Sequence, residues 1–229
     1  MANEIQNGSL YIVSTPIGNL GDITFRAIDT LKGVSAIAAE DSRVTSRLLS
    51  HYEISKPMIS YHDFNKEKVT PQIIVRLKNN ESIALVTDAG TPLVSDPGFY
   101  LVREAVAQGI NIIPIPGASA LLTALVVAGL PSDRFTFEGF LPKKKGRQTR
   151  LKELALEARS MIFYESPQRI EKTIPHLLEY FGNRNILIGR ELTKKFEEFV
   201  HSDLETLSKA SRTWKGELVM VVEGKKHGR

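Results

Sequence analysis

Short apolar runs alternate with amphipathic segments through the first half of the chain. SLYIVS (Ser9–Ser14), SAIAAE (Ser35–Glu40), SIALV (Ser82–Val86) and NIIPIP (Asn111–Pro116) are runs rather than alternations. That is the pattern of strands buried on both faces. Between them, DITFRAIDTLKG predicts a helix, with Asp22 or Thr24 as its cap and Gly33 just past its end. A second helix is predicted over Ser42–His51. PQIIVRLKNN places Ile73, Ile74 and Leu77 on one helical face. Further helices are predicted over Phe99–Gln108 and from Ser119 to Ala128. This rhythm predicts βαβ units and a mostly parallel sheet with helices on both faces.

GLPSD (Gly129–Asp133) reads as a boundary, with an N-terminal α/β domain over 1–130 and a C-terminal α/β domain over 131–229. Beyond it the pattern changes. RFTFEGF alternates like a half-exposed strand, a basic helix is predicted over Gly146–Arg159, and SMIFYES is a strand. Ser166 and Pro167 then suit the N-cap and first residue of a helix running toward Phe181. NILIGRE, FEEFVHSD and GELVMVVEG read as further strands. Short strands with few intervening helices predict a mixed sheet, so the expected class is α/β with two domains and a cleft between them.

The bulk numbers narrow the chemistry. With 229 residues, 42% apolar and 24% charged, the composition is that of an ordinary globular protein. There is no cysteine, which excludes disulfides, thiolate catalysis and Cys-ligated zinc and is compatible with a reducing compartment. MANEIQNGS is polar and carries Glu4, unlike a signal peptide. No apolar run approaches the roughly 18 residues of a membrane span. The net charge is +4, but the positive residues concentrate in KKKGRQTR (Lys143–Arg150) and GKKHGR (Gly224–Arg229). Such blocks are either solvated surface or contacts to a polyanion such as RNA.

Three of the predicted strands end on unusual loops, STPIGNLGD, TDAGTPLVSDPG and IPGAS. In open α/β sheets ligands gather at the carboxyl ends of strands. Glycine permits positive φ and close backbone approach, and proline stiffens. One such loop is ordinary turn chemistry; three on one edge predict a wall of backbone groups around a small polar molecule. G-x-x-x-x-G-K-[ST], G-x-G-x-x-G after the first strand, G-x-S-x-G and H-E-x-x-H are all absent, and the histidines are scattered, so no metal site is expected.

LYIVSTPIGNLGDITFRAIDTLKGVSAIAAEDSRVTSRLL, SYHDFN, VTDAGTPLVSDPG, IPGASALLTAL, FEGFLP, FYESPQRI and GRELTKKFEEF follow one another in order. Together they resemble the small-subunit ribosomal RNA methyltransferase I group of the tetrapyrrole methylase superfamily, over about Ser9 to Gly224. The resemblance implies a cytoplasmic, usually homodimeric enzyme that uses S-adenosylmethionine. Its implied reaction is methylation of a cytidine ribose 2′-oxygen in the decoding region of small-subunit rRNA. It implies a cofactor shell of Pro16, Asp88, Ala89, Gly90, Thr91, Pro92, Ser95, Asp96, Ser119, Ala120, Tyr164, Glu165, Arg190 and Glu191. Gly90-Thr91-Pro92 stands where the tetrapyrrole branch often has G-D-P. That departure argues against a porphyrin acceptor. Members of the group often continue past the GELVMVVEG block into a small helical piece.

A ribose hydroxyl is a weak nucleophile, so a group that takes its proton or stabilises developing alkoxide helps the transfer. The catalytic candidates are Asp41, His62 and Lys194. Asp41 equally suits a helix cap. Glu40, Arg43, Asn65, Glu197 and Glu198 lie in the same blocks. Lys143, Lys144, Lys145, Arg147, Arg150 and Lys195 are the expected RNA contacts, and Tyr61 and Phe64 either stack a base or pack.

Overall fold

The computed structural model describes residues 4–226; the last part of the basic GKKHGR tail, residues 227–229, lies outside the described residues. The chain forms two compact units, Met1–Ser119 and Ala120–Arg229.

In the first unit β1 (Leu10–Val13), β2 (Ala36–Ala39), β3 (Met58–Ser60), β4 (Ile83–Val86) and β5 (Ile112–Ile115) form a sheet in the order β3-β2-β4-β1-β5. Every pairing in it is parallel. The apolar runs have the meaning expected of them: β2 and β4 are buried at every residue. Helices α1 (Phe25–Gly33) and α2 (Ser42–His51) cover one face through Ala27, Leu31 and Leu49. Helices α3 (Lys66–Lys78) and α4 (Phe99–Ala107) cover the other through Ile73, Ile74, Leu77, Leu101 and Ala105. Thr24, not Asp22, caps α1, its hydroxyl accepting from the Ala27 N–H at 3.1 Å. Strand β3 was not predicted. It is three residues long, sits at the sheet edge with Met58 and Ser60 exposed, and so lacks an apolar run.

The second unit holds α5 (Ala120–Val127), β6 (Phe135–Phe140), α6 (Arg147–Leu154), β7 (Ser160–Glu165) and α7 (Pro167–Phe181), followed by β8 (Asn185–Arg190), β9 (Glu198–Asp203), α8 (Leu204–Lys209) and β10 (Leu218–Val222). Its sheet runs β6-β7-β10-β8-β9. β6 and β7 pair in parallel and the remaining pairs are antiparallel, which is the expected mixed sheet. A core of Phe163, Met220, Ile170, Ile174, Leu177 and Trp214 fills one side. The division between the units falls ahead of α5, not at GLPSD, because α5 packs on β10, β7 and β8 of the second sheet. Burial of its apolar face, invisible in a helix that is apolar all round, assigns it there.

Candidate functional site

The carboxyl edge of the parallel sheet is built by loops that bond to one another. Thr15, just past β1, pairs with Gly90, just past β4. The Thr15 N–H donates to the Gly90 carbonyl at 2.8 Å and the Gly90 N–H returns to the Thr15 carbonyl at 3.0 Å. The Thr15 hydroxyl also donates to the Thr87 carbonyl at 3.1 Å. Ser14 Oγ and Thr91 Oγ1 lie 2.9 Å apart, and Thr91 Oγ1 donates to the Ala118 carbonyl at 3.2 Å. Thr91 therefore links the loops after β1, β4 and β5.

Two glycines make this approach feasible. Gly90 has φ +85°, and a Cβ there would sit 3.3 Å from Ile17 Cγ2. A Cβ on Gly117 would sit 2.9 Å from Ser14 Cβ. Beyond Gly90, Leu93 (φ 73°) and Ser95 (φ 69°) adopt the left-handed conformation without being glycine. Strain of this kind costs about 1–3 kcal/mol per residue and clusters where a loop serves a site. Pro92 is buried, Pro16 half-buried, and Asp88 and Ala89 exposed. Ser119 and Ala120 follow at the start of α5.

Carboxylates concentrate along the same edge. The Thr87 hydroxyl donates to Glu40 Oε2 at 2.8 Å, and the Asp41 N–H donates to Asp88 Oδ1 at 3.0 Å. Burial pushes Asp96 from the usual 3.8 up to about 6, and the charge of Glu40 adds to that shift. Although Asp88 is exposed, partial desolvation by its neighbours pushes its carboxyl in the same direction, and the charges of Glu40 and Asp41 add to this against the bond from the Asp41 N–H. A folded-state value above the unfolded one means that the fold prefers the protonated acid. Stability therefore falls as pH rises from about 4 to about 6 and is level above that. Asp96→Asn should raise the thermal midpoint at pH 7.5, by an amount equivalent to about 1 kcal/mol after allowance for solvent screening, and leave it unchanged at pH 4. Equal midpoints at both pH values would mean that Asp96 is not held in this way.

The catalytic candidates divide by chemistry. Asp41 is indeed the α2 cap, accepting from the Arg43 N–H at 2.8 Å. Its ion pair with the Arg43 side chain, at 2.6 Å, holds the carboxyl down to about 2. A carboxylate so acidic is a poor proton acceptor. His62 lies just past β3, half-buried, with Nδ1 buried and without a hydrogen-bond partner among the described residues. Around it the turn is pinned by the Asn65 side chain, whose Oδ1 accepts from the His62 N–H at 2.9 Å and whose Nδ2 donates to the Ser60 carbonyl at 3.0 Å. Tyr61 is wholly buried and packs in the core, whereas Phe64 is 99% exposed.

In the second unit, Tyr164 and Glu165 end β7, and Arg190 ends β8. The Glu165 side chain is inaccessible to solvent. It accepts from the Ser166 N–H at 2.9 Å and the Thr173 hydroxyl at 2.6 Å, and pairs with Arg169 at 3.2 Å. The expected Ser166 cap has the extended backbone of an N-cap but no side-chain capping bond, and Glu165 takes the Ser166 N–H instead. Glu165 thus anchors the start of α7. Arg147, expected among the RNA contacts, turns inward. It donates to the Thr173 hydroxyl at 2.8 Å and the Pro142 carbonyl at 3.2 Å, and burial lowers its pKa. Arg150 is paired to Glu138 and Glu153. Lys143, Lys144, Lys145 and Lys195 are exposed.

Past β8 the chain turns through two further left-handed residues, Glu191 (φ 50°) and Thr193 (φ 64°). Glu191 accepts from the Glu217 N–H at 2.9 Å, and Lys194 Nζ bridges Glu191 at 3.0 Å and Glu217 at 2.8 Å. Gly216 has φ +80°, and a Cβ there would press on the Glu191 carboxyl, so a side chain at this position would displace it. Burial acts to lower Lys194, but its bonds to the two glutamates outweigh this and raise it. Lys194 therefore stays protonated and suits charge stabilisation, not proton removal. Arg190 pairs with Glu198, which also pairs with Arg212. That cluster is what the sequence reading missed: Arg212 and Glu217 lie far along the chain from GRELTKKFEE and meet it only through the antiparallel sheet.

Comparison with known proteins adds a second line. Residues 9–208 match the family model described as Tetrapyrrole (Corrin/Porphyrin) Methylases. The chain is 50% identical over 220 residues to "Ribosomal RNA small subunit methyltransferase I" of Halalkalibacterium halodurans, covering 95% of this chain and 76% of the relative. It is 50% identical over 223 residues to the protein of the same name from Xylella fastidiosa, covering 95% and 82%. Among solved structures it is similar to a diphthine synthase (TM-score 0.72, 16% identity, 94% of this chain and 90% of that one). It is also similar to uroporphyrin III C-methyl transferase from Thermus thermophilus (TM-score 0.64, 18% identity, 93% and 96%). At such identities the structural matches speak for the fold.

Proposed function

The chain belongs to the tetrapyrrole methylase family and, within it, to the ribosomal RNA small subunit methyltransferase I group, and from that premise we propose that it transfers the methyl group of S-adenosylmethionine to a cytidine ribose 2′-oxygen in the decoding region of small-subunit rRNA. The observation that carries the reading is the Thr15–Gly90–Thr91 clasp, which ties three strand-end loops into one preformed wall. The acceptor is RNA on this reading because the chain is half identical to rRNA methyltransferases and shares only the fold with the uroporphyrin enzyme.

The residues present fit this methyl donor. Backbone groups of Asp88 and Ala89, exposed beside the Gly90–Thr15 pair, offer polar contacts to it. Glu40, Asp88 and Asp96 concentrate negative charge, and a ligand bearing a sulfonium and an ammonium would relieve their mutual repulsion. When bound, the donor supplies a methyl carbon on a good leaving group. The chain then has two tasks. The first is orientation: the clasp fixes the loops before binding, so little ordering remains to oppose the reaction. The second is proton removal: His62 takes the hydroxyl proton of the acceptor ribose. Lys143–Lys145 and Lys195 contact RNA phosphates, which position the substrate without reading its sequence. The enzyme works in the cytoplasm as a homodimer on this reading.

The test uses small subunits from cells lacking the activity, incubated with the protein and methyl-labelled S-adenosylmethionine. Digestion and mass spectrometry should place the label on the ribose of one decoding-region cytidine. Label on a base, or on no RNA while the donor binds, would overturn the reading.

A further inference from the structure

A concave site on the second unit lies outside the residues discussed so far as donor contacts. A cavity of about 620 Å³ opens between β6 and α6, lined by Phe137, Phe140, Leu141, Thr149, Arg150 and Glu153 among others. That volume is within the range that takes a nucleotide-sized ligand. One wall is Phe140, which is 55% exposed. Its ring is braced edge-on by Tyr164 at 5.8 Å, and Tyr164 is held from another side by Phe137 at 5.0 Å. The aromatic surface is therefore positioned, not free to turn away.

Glu138 and Glu153 line the cavity and share one cation, Arg150, which leaves its lining without excess positive charge. The positive charge lies beside it: Lys143, Lys144 and Lys145, between the lining residues Pro142 and Gly146, are exposed and make no ion pair among the described residues. An aromatic face in a concavity beside unpaired cations matches the two ways in which proteins hold unpaired RNA: stacking on the base and contact with the phosphates. Register adds placement. Phe140 pairs with Tyr164 in the parallel β6–β7 ladder, so the cavity opens at the sheet end where β7 delivers Tyr164 and Glu165.

We propose that this cavity is a subsite for one unpaired nucleotide of the ribosomal RNA, its base stacked on Phe140 and its flanking phosphates held by Lys143, Lys144 and Lys145. The proposal rests on the rRNA reading above and adds a base-stacking contact to the phosphate contacts of the lysines.

The test measures dissociation constants of intact small subunits and of protein-free small-subunit rRNA across a range of KCl concentrations. Phe140→Ala and Phe140→Leu should each weaken both by about 10-fold, as expected for one lost base stack, without changing the salt slope. Phe140→Trp should bind within about 3-fold of the parent, because it restores a stacking face. Lys143→Ala/Lys144→Ala/Lys145→Ala should instead flatten the log–log salt slope by about 2. Parent-like binding by Phe140→Leu would reduce Phe140 to apolar cover and overturn the proposal. So would weakening confined to intact subunits, which would make the cavity a ribosomal-protein contact. Unchanged binding by Phe140→Ala, with the parent still methylating rRNA, would overturn the subsite and leave the function standing. The expected binding pattern without any methylation of rRNA would do the reverse.

Discussion

Gly90→Val is expected to abolish S-adenosylmethionine binding, with no heat measurable by titration calorimetry at concentrations where the parent should saturate. Two effects combine at this position. Gly90 has φ +85°, a region that β-branched residues essentially do not enter. Its Cβ would also press on Ile17 Cγ2 from 3.3 Å. The loop must then give up its paired bonds with Thr15, and the wall those bonds maintain opens. The global cost is smaller, about 2 kcal/mol for the strained residue, so the variant folds and shows a cooperative thermal transition. Parent-like binding would mean that the donor does not use this loop.

Glu165→Ala has its largest effect on stability. The substitution leaves Arg169 without its buried partner and the Ser166 N–H and Thr173 hydroxyl without their acceptor. Breaking a buried pair from one side costs about 3–5 kcal/mol, which lowers the thermal midpoint by about 10 °C for a chain of this size. Glu165→Gln keeps an oxygen for the Ser166 N–H and sets its amide NH2 against the Thr173 hydroxyl, which can accept as well as donate, so it should lose less than half as much. Calorimetric binding of the donor by the folded Glu165→Gln variant separates the two roles. A parent-like midpoint for Glu165→Ala together with lost donor binding would make Glu165 a ligand contact; the reverse makes it an anchor for α7.

How much of this was legible beforehand depends on the range of the interactions. The strands β1, β2 and β4 were readable because a strand buried in the middle of a sheet is apolar at nearly every position, and such runs stand out locally; β5 shares the apolar run but lies at the sheet edge with Pro114 exposed, so its expected burial on both faces does not hold. The α1 and α2 caps were readable because a cap bonds within three residues of itself. The strand-end loops were readable as candidates because glycine and proline have few uses there. Edge strand β3 was not, since half-exposed short strands carry no hydrophobic signature.

The candidate site shows the same limit. Sequence proposed Asp41, His62 and Lys194 as equals. Their partners separate them: Arg43 holds Asp41 ionised, Glu191 and Glu217 hold Lys194 protonated, and His62 retains a buried ring nitrogen without a partner among the described residues. Lys143–Arg150 read as one basic block, yet Arg147 and Arg150 are engaged in bonds to the protein and the lysines are not.

The sequence by itself determined the α/β class, the parallel and mixed sheets, the loops that carry the site and, through seven ordered motifs, the family. These follow from short-range patterning and from residue types that local backbone geometry demands. Only the tertiary structure decided that α5 belongs with the second sheet, that Thr91 links three loops, that Glu165 is buried as an anchor, and that Phe140 forms the wall of a cavity beside three unpaired lysines. Each of these depends on which distant residue supplies the partner for a charge, a hydrogen bond or an apolar face, and that choice is made when the chain closes on itself.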